Sequence, residues 1–366
     1  MKKLLIISNM YPSAQHLSFG VFVKNQAEAL KKSGIDVLVT ANDNPATGKK
    51  NTILKYGKWA LQTLSTAFRH RKSISVTHAH YVFPSGVFSL LLKKLFHIPY
   101  IVTAHGGDIE RMAKKSTRIR NWTELILQES EHVIAVGPVL AQQIEKDFQI
   151  PKEKITICSM GVNRDVFKRG DKEAVRAELG LEQDAFTYLF VGNVIKQKGI
   201  EELLLAFDQV QAQANQKVKL VIIGSRRDTN FIESIQPFVD QDVQFVDPQQ
   251  QTELVKWFQA SDVFVLPSHL EGFGLVALEA IASGTPVIAS QVGGLVSLLG
   301  DGAGHLVESQ NATSLAAEMM EALHTPTAVY YNEQAASAIL HEHDEKEITK
   351  RVIALYESAI KGGDAR

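Results

Sequence analysis

The chain has 366 residues, which suits two domains at about 150 residues each; its 45% hydrophobic and 22% charged residues are ordinary for a folded soluble protein and exclude disorder, collagen and coiled coil. One cysteine, Cys158, excludes a disulfide framework and points to a reducing compartment. The net charge of −1 hides an asymmetry: residues 1–165 hold 23 Lys and Arg against 12 Asp and Glu, or +11, and the remainder holds 16 against 28, or −12, so an anionic partner is expected for the basic half.

The opening MKKLLIISNMYPS has too short an apolar run for a signal peptide and reads as a first strand. No apolar run of about 18 residues predicts a membrane span. Apolar, β-branched runs follow in order: 4–8, 36–41, 75–80, 100–106, 132–137 and 154–159 in the first half. In the second half they are 186–192, 219–224, 243–247, 263–268, 286–290 and 304–307. Near-continuous apolar runs mark strands buried on both faces of a parallel sheet. Amphipathic stretches such as 23–34 and 200–213 separate them, which predicts an α/β protein with two Rossmann-like domains. The polar stretch 163–185 is expected to be the joint, giving domains 1–165 and 166–345. The helical pattern over 346–362 could belong to either.

Open parallel sheets bind ligands beyond the carboxyl ends of their strands. Two loops there are informative. VGNVIKQKG (191–199) offers Gly192, Asn193, Lys196 and Lys198 before a helix, a pattern that suits phosphate. SHLEGFGLVALEAIASGTPVIAS (268–290) places Glu271 and Gly272 ahead of a helix beginning near Leu275, with Glu279 inside it. The N–H groups of Phe273, Gly274 and Leu275 suit a diphosphate, and the two carboxylates suit sugar or ribose hydroxyls. Together they read as a nucleotide-sugar site.

EGFGLVALEAIASGTPVIAS resembles the signature of retaining glycosyltransferases of family 4, which have the GT-B fold, and Glu271 and Glu279 form that family's E-x7-E pattern. The resemblance extends over nearly the whole chain. Residues 9–37 resemble the acceptor-side glycine loop and first helix, and TAHGGD (103–108) resembles the HG-x-D motif. ITICSMGVNRDVF (155–167) is similar to the family's joint, with Met160 where Asn is usual. ASDVFVLPS (260–268) and the pair Gly293-Gly294 also fit.

The resemblance implies two domains facing across a cleft, the first binding acceptor and the second donor. Glu279 would hold the donor ribose, Glu271 would contact the transferred sugar, and Lys198 would offset the leaving diphosphate. His105 would lie near the transferred sugar, with Asp108 nearby. Gly20 would let the acceptor-side loop approach the donor phosphate. Sugar transfer would retain anomeric configuration, with no cofactor and no metal. Two departures stand out. Asn193 occupies a position where the family usually has Arg, and a neutral amide cannot balance a diphosphate, so either Lys196 substitutes, or donor binding is weaker, or this member is unusual. Leu295, Val296 and Ser297 stand where many members have Pro-Glu. Rival readings are a catalytically weak accessory protein of the same fold and a GT-B-fold nucleotide-sugar epimerase.

The basic half bears on the acceptor. Over 49–73, Ile53, Gly57, Leu61, Leu64 and Phe68 recur at helical spacing, flanked by Lys49, Lys50, Lys55, Lys58, Arg69, Arg71 and Lys72, with Trp59 near the middle. A basic amphipathic helix with an aromatic residue suits an anionic membrane surface, although the stripe is expected to pack partly on the sheet. A second cluster, Arg111, Lys114, Lys115, Arg118 and Arg120, could meet an acceptor phosphate. These features predict a lipid-linked or anionic glycan acceptor in bacterial surface polysaccharide assembly. The protein would be cytoplasmic and peripheral to the plasma membrane, with no nucleic-acid partner. His78, His80 and Cys158 read as core residues.

Overall fold

The computed structural model describes residues 2–46 and 48–364; of Lys49, Gly363 and Asp364 only the backbone is described. Two compact units emerge, residues 1–161 with 345–366 and residues 162–344. The basic and acidic halves sharpen under this division. The first unit holds 27 Lys and Arg against 15 Asp and Glu, or +12, and the second holds 12 against 25, or −13.

In the first unit the strands are β1 (Lys3–Ser8), β2 (Val37–Ala41), β3 (Ile74–His80), β4 (Tyr100–Ala104), β5 (His132–Ala135) and β6 (Ile155–Ile157). They form one parallel sheet in the order β2-β1-β3-β4-β5-β6. Alternation along β1 distributes its side chains between two cores. Leu4 and Ile6 pack with Val23, Ala27 and Leu30 of the helix Val21–Lys32, whereas Leu5 and Ile7 pack with Trp59 and Ala67 of the helix Lys49–His70. Cys158 is buried in the first of these cores, and burial pushes its thiol up to about 11, as suits an inert small hydrophobe.

The second unit contains β7 (Phe186–Val191), β8 (Val218–Ile223), β9 (Val243–Val246), β10 (Val263–Leu266), β11 (Val287–Ser290) and β12 (His305–Val307). Its parallel order is β12-β11-β10-β7-β8-β9. Counted within the unit this is the dinucleotide-fold order 3-2-1-4-5-6, and its direction reverses between β7 and β10. The first unit reverses between β1 and β3. Helices flanking a parallel sheet leave the carboxyl ends uncovered at such a reversal, so these two gaps are where loop residues can hold a ligand.

The expected joint is displaced. Residues 163–185 fold onto the second unit, because Asp171 caps the helix Lys172–Leu179 and Arg176 is buried there. Its guanidinium donates to the Ala260 and Gln183 carbonyls and to Asp262 at 2.6–2.8 Å. The boundary lies instead at Gly161/Val162. Gly161 has φ +73°, and a β-carbon there would stand 2.9 Å from Glu345 Cα, so departing and returning chain touch. The C-terminal helix Glu345–Asp364 belongs to the first unit. Ile348, Val352, Tyr356 and Ala359 fill its core, and the Tyr356 hydroxyl lies 2.7 Å from His78 Nδ1.

Tyr356→Ala should destabilise the first unit by about 3–5 kcal/mol, as expected for losing a buried aromatic ring. Urea unfolding followed at Trp59 should shift, while the transition reported by Trp257 should not. Coincident shifts at both tryptophans would remove the helix from the first unit alone.

Candidate active site

The β7–β10 gap is held closed by backbone contacts that only glycine permits. Gly199 has φ +70°, and a β-carbon on it would stand 1.9 Å from the Pro267 carbonyl oxygen. A β-carbon on Gly293, at φ +48°, would meet the Glu271 carbonyl at 2.0 Å. One on Gly294 would meet the Gly272 carbonyl at 2.3 Å. Two backbone bonds complete the arrangement: His269 N–H donates to the Gln197 carbonyl, and Gly294 N–H to the Glu271 carbonyl, both at 3.0 Å.

This framework brings together most of the donor-side residues expected from sequence. The Lys198 ammonium donates to Glu271 Oε2 at 2.5 Å, and both side chains are largely buried. Gly274, at φ +92°, precedes the helix Leu275–Ala282; Ala277 and Leu278 N–H donate to its carbonyl, and the N–H groups of Leu275 and Val276 have no acceptor within the helix. Glu279 lies within that helix and is only 7% exposed. Gln251, from the helix Gln251–Ala260, donates to Glu279 Oε1 at 3.1 Å and was not apparent from sequence. Burial pushes the Glu279 carboxyl from its ordinary 4.5 up to about 8, only partly opposed by the Gln251 amide.

The two departures have physical settings. Asn193 is exposed, and Lys196, also exposed, stands 3.8 Å from Glu201. The backbone bond from Val194 N–H to the Ser225 carbonyl sets this loop beside Arg226, a cation that sequence reading passed over. Arg226 bonds Asp247 at 2.9 Å and lies over the Phe245 ring. Leu295 is fully buried against Gly274, so this departure adds core packing beneath the start of the donor-side helix.

In the first unit, the β1/β3 gap is adjoined by the loop after β4. Asp108 is buried and accepts from Val82 N–H at 2.8 Å and His105 N–H at 3.0 Å. Burial raises its carboxyl to about 6 against those bonds. The His105 ring packs against Phe22 and Tyr81. His78 and His80 are buried as expected, yet His80 has more than a packing role: its Nδ1 is 3.2 Å from His105 Nε2, and its Nε2 has no hydrogen-bond partner among the described residues. Burial holds all three imidazoles well below their usual value, and so neutral. His80 ends β3 and His105 follows the neighbouring strand β4, a proximity that their spacing in sequence conceals. Gly20, at φ +73°, has a reason within this unit, since a β-carbon would strike the Met10 backbone at 2.6 Å.

Of the basic cluster after Asp108, Arg111, Lys114, Lys115 and Arg118 are exposed. Arg120 instead donates to the Asp147 carbonyl at 2.6 Å and stacks on Phe148. A pocket of about 410 Å³, also not foreseen, opens between Asn42, Asn44, Asn51, Lys55, Lys58 and Gln62.

The stability of the unliganded protein should carry the Glu279 signature. Between pH 4.5 and about 8 the fold retains a proton that the unfolded chain has lost, so stability falls as pH rises through this window. Glu279→Gln, neutral and of the same shape, should therefore raise Tm relative to the parent at pH 9 and change it little at pH 4. Equal shifts at both values would contradict a buried, protonated Glu279.

Known proteins with this geometry point one way. Residues 171–338 match the family described as glycosyl transferases group 1, and residues 19–166 match Glycosyltransferase Family 4. A D-inositol 3-phosphate glycosyltransferase of Segniliparus rotundus is 31% identical over 315 residues, 81% of this chain and 68% of that protein. The chain spans 62–68% of the length of three inositol phosphate glycosyltransferases that it matches. A putative teichuronic acid biosynthesis glycosyltransferase, TuaC of Bacillus subtilis, is 27% identical over 352 residues, 86% of this chain and 87% of that one. Anabaena HepE, solved with UDP-glucose, superposes with a TM-score of 0.77 at 17% identity, covering 98% of this chain and 100% of its own, a likeness of fold. The two six-stranded units have the GT-B architecture, and the chain belongs to the group 1 glycosyltransferases.

Proposed function

We propose that this glycosyltransferase takes its sugar from a nucleoside-diphosphate sugar bound by the second unit and transfers it, with retention, to a hydroxyl of an anionic acceptor. The observation that carries this reading is the Lys198–Glu271 pair at the β7–β10 reversal, beside the start of the helix that buries Glu279. A cation, free helix N–H groups and two carboxylates are the groups a sugar diphosphate calls for. HepE is described with UDP-glucose, which supports a donor of this class.

In the reaction, the bond between the anomeric carbon and the diphosphate oxygen breaks. The acceptor oxygen bonds to that carbon, and its proton passes to the departing phosphate. Lys198 and the N–H groups of Phe273, Gly274 and Leu275 stabilise the charge gathering on the diphosphate, a fixed field that needs no reorganisation. Without donor, Lys198 is neutralised by Glu271, so donor binding would shift the ammonium to phosphate and free Glu271 for sugar hydroxyls. Glu279 accepts from the ribose hydroxyls. Asn193 gives no charge, so Lys198 carries the larger share. His105, its backbone N–H held by Asp108 and its ring beside His80, is the first unit's candidate for contacting the sugar.

The acceptor belongs to the first unit, whose net +12 supports an anionic molecule. Arg111, Lys114 and Lys115 are its exposed cations beside Asp108. The relatives' names, inositol 3-phosphate and teichuronic acid, describe anionic acceptors or products and fit a lipid-linked or anionic glycan in surface polysaccharide assembly. Such work takes place in the cytoplasm at the membrane's inner face; among the described residues no helix is long and apolar enough to cross a membrane.

The test is nucleoside diphosphate release from a panel of UDP-, GDP- and ADP-sugars, with and without EDTA. Lys198→Ala should lower kcat by about 10²–10³, the scale of losing a donor to a developing oxyanion. Glu279→Ala should chiefly raise KM, and EDTA should leave the rate unchanged. Parental turnover in Lys198→Ala would contradict the site, and no turnover with any donor would favour the accessory protein.

A further inference from the structure

The helix Lys49–His70 has two apolar faces, and only one is used. Trp59, Thr63 and Ala67 are buried, with Trp59 Nε1–H donating to the Thr40 carbonyl at 3.3 Å and its ring against Phe88. Trp59 is thus a core residue, contrary to the sequence expectation that it would mark an exposed aromatic, and the stripe expected to pack partly on the sheet turns outward. Ile53 is 73% exposed, Leu54 71%, Leu61 72%, Leu64 39% and Phe68 60%. At 3.6 residues per turn these five fall within about 100° of one another. Phe68 meets Phe96 of the next helix, Ser85–Phe96, which adds exposed Leu91 and Leu95. Exposed apolar surface of this extent marks an interaction site.

Its charge identifies the occupant. From residue 44 to residue 107 there is no Asp or Glu, while the same stretch holds nine Lys and Arg. Lys50, Lys58 and Arg69 are exposed beside the apolar arc, and the Arg71 guanidinium lies 4.3 Å over the Phe68 ring. A second copy of this chain would set cation against cation across a two-fold axis. An anionic bilayer supplies what this face lacks, acyl chains for the arc and headgroup phosphates for its border.

We propose that the outward face of Lys49–His70, extended by Leu91 and Leu95, lies in the interface of an anionic phospholipid membrane. The acyl region takes up Ile53, Leu61 and Phe68, and Lys50, Lys58 and Arg69 meet the headgroups. This placement stands on exposure and charge and is independent of the transfer chemistry.

Flotation with vesicles of phosphatidylglycerol and phosphatidylcholine, against phosphatidylcholine alone, tests it with the full-length protein. Binding should require phosphatidylglycerol and weaken with salt. The triple variant Ile53→Gln, Leu61→Gln, Phe68→Gln should lose roughly a hundredfold in partitioning, from the apolar area withdrawn. Its donor hydrolysis in solution should equal the parent's, which separates this face from the donor site and verifies folding. Absence of parental binding, equal binding to both vesicles, or unchanged binding of the variant would each overturn the proposal. So would self-association, measured by sedimentation without lipid, that the triple variant abolishes.

Discussion

Each sheet reverses its winding once, and at the reversal no helix covers the strand ends. Between β7 and β10 that opening is narrowed by main chain pressed on main chain, at Gly199 against Pro267 and at Gly293-Gly294 against Glu271 and Gly272. Side chains larger than hydrogen would wedge these loops apart. The contacts let Lys198 reach Glu271 and set the helix start at Leu275 beside both. Side chains from loops far apart in sequence are thereby held on rigid elements, which keeps charge stabilisation ready before substrate arrives.

Electrostatics divides along the same lines as the fold. Returning the C-terminal helix to the first unit widens the contrast to +12 and −13, so the asymmetry belongs to the folded units. The second unit is acidic overall yet presents a lysine and a helix start at its reversal. Burial keeps Glu279 protonated below about pH 8, so a ligand that stabilises its anion would also recover part of a folding cost.

All twelve strands were legible in the sequence because each is a short apolar run, near-continuous in the strands buried on both faces and shorter in the edge strands β6, β9 and β12. The loops after β7 and β10 were legible too, through their glycines, lysine and glutamates, although the partners that demand those glycines are visible only in three dimensions. What escaped has common causes. Periodicity in Lys49–His70 reveals an apolar stripe without saying which way it faces, and here a second, mixed face around Trp59 won the core. Arg176 makes a polar stretch part of a unit by buried bonds that no local pattern announces. Likewise His80 reaches His105, Gln251 reaches Glu279 and Tyr356 reaches His78 across separations of 25, 28 and 278 residues.

The central claim is that the β7–β10 reversal receives the nucleoside diphosphate. Hydrogen–deuterium exchange of the intact protein with and without UDP, and with GDP as an alternative nucleotide, addresses it directly. The account predicts slowed exchange at residues 192–199 and 272–279 with at least one nucleotide. Protection confined to residues 1–161, or none with either nucleotide at millimolar concentration, would contradict it.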